Sequence, residues 1–144
     1  MSKTDEKFKR IDAIIGDPGD DFGEAVGRFF KHLKANLQLP CEVKGIEDFQ
    51  WEERYVIGGW SVRDYEKLKK TQPSYSDRYQ LLEIEPEGYS QWMMHGGEDI
   101  AAHVQRASDG KKFVLGLSEL EGTDKESANL QLLNDYAVFF CNYR

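Results

Sequence analysis

The first apolar pattern in the chain is Phe8, Ile11, Ile14 and Ile15, spaced by three and four residues, which predicts a helix stopped by Gly16. GDPGDD follows as a turn-rich joint in which Pro18 and Gly19 exclude a continuous helix. Phe22, Val26, Phe29, Phe30, Leu33 and Leu37 then make a longer stripe, with Glu24, Arg28, Lys31 and Lys34 mainly opposite. Asp21 and Glu24 have the three-residue spacing of an N-terminal capping pair. Pro40 disfavours helical geometry at Leu39, so this second helix should end near Asn36 or Leu37 and hand over to a strand from Cys41.

Beyond Pro40 the period shortens. QWEERYVI sets Trp51, Tyr55 and Ile57 on one side and Glu52 and Arg54 on the other, the alternation of a half-buried strand closed by Gly58 and Gly59. Ser61 and Asp64 form a second capping pair ahead of Val62, Tyr65 and Leu68, which predicts a short surface helix ended by TQPSYSD. RYQLLEIE reads as a strand stopped by Pro86 and Gly88. AAHVQRASDGKKFVLGL reads as a hairpin, with Asp109 and Gly110 suited to the positive backbone angles of a tight turn. YAVFFCNY is apolar at consecutive positions and predicts a last strand covered on both faces. Helices first and strands afterwards predict an α+β fold over residues 1–144 as a single domain, with N-terminal helices packed on an antiparallel, strongly curved sheet or small partial barrel.

Charge narrows the partners. A net charge of −7 disfavours nucleic acid, which is bound through its phosphates, and by the same repulsion an anionic membrane surface. It favours cations or a basic protein. MSKTDEKFKRIDAII is too polar for a signal peptide, and Cys41 and Cys141 form no C-x-x-C pair, so a cytoplasmic setting with two buried, reduced, inert thiols is expected.

His32, His95 and His103 show no paired-ligand spacing, and no phosphate-binding glycine loop or nucleophile elbow occurs. The acidic clusters point to calcium, which takes oxygen ligands on irregular loops. Glu119, Glu121 and Asp124, in SELEGTDKES, form the first candidate metal set, and Asp17, Asp20 and Asp21 the second, although the second fails the EF-hand pattern at Gly19 and Phe22. Glu83, Glu85 and Glu87 form a third acidic group, which a strand would turn to solvent. Trp60, Trp92, Met93 and Met94 are the candidate interaction residues, because they flank turns and glycines.

FFKHLKANLQLPCEVKGIED, residues 29–48, resembles the aromatic helix, asparagine–leucine turn and proline-led strand of the small cyanobacterial calcium-binding protein family, the CcbP type, through Phe29, Phe30, Leu33, Asn36, Leu37 and Pro40. The resemblance implies a short acidic cytosolic protein that binds calcium through side-chain and main-chain oxygens. It carries no ligand with it, and Cys41 stands where the family usually has an aromatic. The leading expectation is therefore a small acidic, non-enzymatic cytosolic protein that binds calcium. The alternative is a protein-interaction module using the aromatic and methionine patch. An enzyme, third, would need His32, His95 or His103 to converge in a cleft.

Overall fold

The computed structural model describes residues 2–86 and 88–144, so Glu87 of the third acidic group lies outside the described residues. Helix α1 (Lys3–Ile15) starts under Ser2, whose hydroxyl accepts from the Asp5 N–H, and stops at Gly16 with φ +62°. Helix α2 (Phe22–Asn36) starts under Asp21, whose carboxylate accepts from the Glu24 N–H at 3.0 Å, as the spacing predicts. It ends where Pro40 requires, with Leu37 already extended. Among the described residues five strands follow: β1 (Cys41–Gly45), β2 (Tyr79–Glu85), β3 (Ala101–Arg106), β4 (Lys112–Gly116) and β5 (Leu120–Gly122). They lie in the order β4-β3-β2-β1-β5, and each neighbouring pair is antiparallel. The sheet is open, with β4 and β5 at its edges, so the fold is α+β without barrel closure.

Register decides the two faces. Val43, Tyr79, Leu81, Val104 and Leu115 are buried in one cluster with Ile11, Phe29 and Leu33 of the helices, whereas Glu42, Gln80 and Glu83 face solvent. Glu83 and Glu85 are exposed as alternation requires, although a register shift between Leu81 and Glu83 interrupts the ladder.

Two expected strands are helices. YAVFFCNY belongs to α5 (Ala128–Tyr143), capped by Ser127. Tyr136, Phe139, Phe140 and Tyr143 recur at helical steps. Phe139 stacks on Phe29 at 5.0 Å between centroids and on Phe22 at 5.4 Å, while Arg10 of α1 makes a double hydrogen bond to buried Asp135. The helical layer is thus α1, α2 and α5 together, and both ends of the chain contribute to it. QWEERYVI is also helical: a 3₁₀ turn over Gln50–Glu52 runs into α3 (Glu53–Val56), followed after Gly58 and Gly59 by α4 (Val62–Leu68). Tyr55 lies four positions after Trp51, a step that satisfies a helix as well as a strand, and here it builds an aromatic cluster with Tyr65. In the β3–β4 turn, Gly110 takes a positive φ (+76°), and the Asp109 carboxylate bonds Arg106 and the Lys111 N–H. Strand β5 arises inside SELEG, a segment too short and acidic to announce itself.

Candidate functional site

The acidic residues singled out by the sequence are dispersed. Asp17 accepts from the Gly19 N–H, Asp21 caps α2, and Asp20 is exposed beside them. On β5, Glu121 pairs with Lys44 across the ladder at 3.5 Å, and Asp124 accepts from the Glu126 N–H in its own turn. Glu119 instead sits in the 3₁₀ turn Leu117–Glu119 and lines a cavity of about 330 Å³ that neither Glu121 nor Asp124 lines. Among the described residues, no group of three or more His, Cys, Asp or Glu side chains is gathered where it could hold a metal ion.

Glu119 has a different partner. Asp99, immediately before β3 and fully buried, points at the same place: a Cβ built on Gly116 would lie 2.6 Å from Asp99 Oδ2 and 2.6 Å from Glu119 Oε2. Only the missing side chain of Gly116 lets the two carboxyls approach this point. The backbone holds them there. The Leu117 N–H donates to the Ile100 carbonyl, fixing the turn after β4 against the start of β3, and the Ile46 N–H donates to the Glu119 carbonyl, bringing in the exit of β1. Asp99 accepts from the Ser118 hydroxyl at 2.6 Å, the Ser118 N–H and the Tyr136 hydroxyl at 2.7 Å, while Glu119 accepts from the Met94 N–H at 3.3 Å. None of the ion pairs among the described residues involves Asp99 or Glu119. Glu47 and Asp48 line the same cavity, and Arg144 at its rim is held by Glu98 at 3.0 Å.

Two carboxyls taken out of water without a counter-cation resist ionisation. Burial pushes Glu119 up to about 7, with the Asp99 charge adding and the Met94 N–H opposing. Burial raises Asp99 as well, against the donors from Ser118 and Tyr136. A cation placed between them would remove this penalty and displace protons. The folded state should therefore hold a proton on Glu119 between the ordinary value of 4.5 and about 7 that the unfolded chain has released, so metal-free stability falls as pH rises through that window and levels off above it. Thermal melts of the wild type against Glu119→Gln, from about pH 5 to pH 8, test this sign; parallel curves would refute it.

The histidines do not converge: His32 lies against Asn36, His95 lines the cavity beside Phe140, and His103 lies 3.2 Å from Glu85 on β2. Cys41 is half-buried, and burial raises its thiol. Cys141 is exposed at the cavity, contrary to the buried setting expected from its apolar neighbours. The interaction candidates separate too. Met93 is buried, Trp92 packs edge-on against Phe113, Met94 is exposed at the cavity, and Trp60 is exposed on the α3–α4 turn.

No family model matches the chain, and no curated protein matches it. Among solved structures, it superposes on a calcium-binding protein in its calcium-binding form with a TM-score of 0.61 and 16% identity, over 98% of this chain and 96% of that one. It superposes on Anabaena CcbP with a TM-score of 0.60 and 16% identity, over 97% and 93%. The fold resembles that of CcbP. The likeness of fold reaches beyond the short stretch at residues 29–48 to nearly the whole chain. Asp99, Gly116, Ser118 and Tyr136 were not singled out in the sequence. The available signal was an acidic residue set directly before the apolar run Ile100–Ala102, where burial is costly without a purpose.

Proposed function

We propose that this chain is a single-domain, cytosolic calcium-binding protein whose site is centred on Asp99 and Glu119. The observation that carries the reading is the convergence of these two carboxyls at Gly116, Asp99 fully buried and Glu119 half-buried, with neither in an ion pair among the described residues. Calcium suits the place because it accepts carboxylate, carbonyl and water oxygens in irregular geometry, at about 2.3–2.6 Å. Magnesium demands near-octahedral geometry and keeps more of its waters, so it should compete poorly. Asp99 and Glu119 supply the charge, and main-chain and water oxygens would complete the shell. The calcium-binding form of the superposed structure supports the choice of ion. Two unpaired cysteines accord with a reducing compartment.

Calorimetric titration and thermal melts with calcium test the reading. Calcium at a hundredfold excess over Kd should add about 2.7 kcal/mol and raise Tm by several degrees. Glu119→Gln should weaken calcium binding about tenfold or more while leaving the metal-free protein as stable or more stable above pH 7, a combination that a purely structural role would not produce. Affinity should also rise from pH 6 to pH 8, because protons and calcium compete for Glu119. An unchanged melt at millimolar calcium would overturn the proposal.

A further inference from the structure

The α3–α4 turn is built unlike the rest of the surface. Nine consecutive residues, Val56 to Asp64, are exposed, and among them Ile57 is 74%, Val62 72% and Trp60 55% accessible. Large apolar side chains left this open on a turn mark a contact surface. The turn is also held in shape from beneath. Tyr55 stacks on Tyr65 at 5.4 Å with an interplanar angle of 9°, Trp60 meets Tyr55 edge-on at 5.9 Å, and Arg54 lies over the Trp60 ring at 5.1 Å. Gly58 and Gly59 make the sharp corner: a Cβ at Gly58 would meet the Arg54 carbonyl at 2.6 Å, and Gly59 has φ +72°.

Charge around this tip runs against the whole. Arg63, Lys67 and Lys70 follow at four- and three-residue steps, so they lie on one exposed side of α4 and its C-terminal turn, with Arg54 beside Trp60. Lys69 pairs with Glu66, but none of those four cations takes part in an ion pair among the described residues. Glu53 and Asp64 are the remaining acids of the stretch, leaving it net positive on a chain of net charge −7. At physiological ionic strength, interactions beyond about 8 Å are largely screened, so the tip meets a charged surface by its own sign.

We infer that the α3–α4 turn docks on a bilayer containing anionic phospholipid, with Ile57, Trp60 and Val62 entering the interface and Arg54, Arg63, Lys67 and Lys70 against the headgroups. A run of nine exposed residues presents apolar side chains outward, which suits insertion into lipid better than capture of a peptide in a groove. Trp is the side chain that settles at that depth. The whole-chain charge argument against membranes fails locally, because the charges are not evenly distributed.

Co-sedimentation with phosphatidylcholine vesicles, with and without phosphatidylglycerol, tests the inference. EDTA is included so that calcium bridging plays no part and the calcium reading can fail independently. Binding is expected only to the vesicles containing phosphatidylglycerol and should weaken with added salt. It should fall about tenfold or more in Ile57→Ser/Trp60→Ser and clearly in Arg63→Gln/Lys67→Gln, with Tm unchanged in both. No binding by the wild type, or binding untouched by these substitutions, overturns it. So does self-association that depends on Trp60 in the absence of vesicle binding, which would make the surface an interface between copies.

Discussion

Replacing Arg106 with leucine is expected to destabilise the protein by about 3–5 kcal/mol and lower Tm by roughly 10 °C or more. Arg106 ends β3 and is almost entirely buried. Its Nη1 donates to the carbonyls of Lys69 and Gln72, each at 3.0 Å, and to Asp77 at 2.9 Å. Its Nη2 donates to the Lys70 carbonyl at 3.0 Å and to Asp109 at 2.9 Å, and its Nε completes the fork on Asp109 at 3.1 Å. One guanidinium thus satisfies the carbonyls that α4 and its following turn leave without helical partners, and it ties that segment to the sheet. Leucine would match the burial and leave these acceptors stranded. Lysine would keep the charge and lose the planar fork, so Arg106→Lys should recover only part of the loss. The Asp109 hydrogen bond, followed by those of Asp77, holds the guanidinium above its ordinary range, and Arg106 pulls Asp109 down to about 2. The Asp109 contribution is present above its ordinary value of 3.8 and is lost as pH falls towards about 2. Urea and thermal melts measure the effect; a loss below about 1 kcal/mol would show that water replaces the network without penalty.

How far the sequence announced this fold depends on which pattern each segment could satisfy. The stripe Phe22 to Leu37 fits only a helix, and its ends are marked by Asp21 and Pro40, so α2 was legible to within a residue. The hairpin was legible for the same reason, since Gly110 has a backbone role that few other residues can take. Trp51 and Tyr55 were ambiguous because a step of four is even, and Ile57, the residue that favoured a strand, is exposed and packs on no core. In YAVFFCNY, Ala137 and Val138 filled the gaps between the helical positions and hid their period.

The site was less legible than the fold. Asp99, Gly116, Glu119 and Tyr136 span 38 positions of the sequence and meet only because β3, β4 and α5 bring them together. Glu119 was singled out with its sequence neighbours Glu121 and Asp124, yet a 3₁₀ turn aims it into the cavity while strand pairing turns Glu121 to Lys44. Proximity along the chain was a poor guide to proximity of oxygens. Gly116 matters most for what it lacks, and no composition or spacing reports that.

Glu52 should be nearly as sensitive as Arg106. It is fully buried, and its carboxylate accepts from the Phe49 N–H and Tyr75 N–H at 3.0 Å each, from the Tyr65 hydroxyl at 2.7 Å and from the Ser74 hydroxyl. These donors come from the end of the β1 exit, from α4 and from the entry to β2, so one side chain anchors the α3–α4 arm from within, as Arg106 does from its end. Glu52→Ala is expected to cost about 3 kcal/mol or more, because each stranded buried donor carries its own desolvation penalty. Glu52→Gln separates charge from hydrogen bonding. An amide fills the same space, and with its oxygen on the Phe49 and Tyr75 N–H groups its NH2 can donate to the Tyr65 and Ser74 hydroxyls, which accept as well as donate. This variant should lose the charge assistance and be destabilised less than Glu52→Ala. Hydrogen exchange should quicken first in α3 and α4 and least in α2 and α5, because the arm's own aromatic cluster cannot hold it to the body. An alanine variant as stable as the wild type, with the arm equally protected, would rule this anchoring role out. If the arm does loosen, vesicle binding should weaken although no lipid-facing residue has changed, since the tip presents Trp60 and Ile57 together only while its base is held.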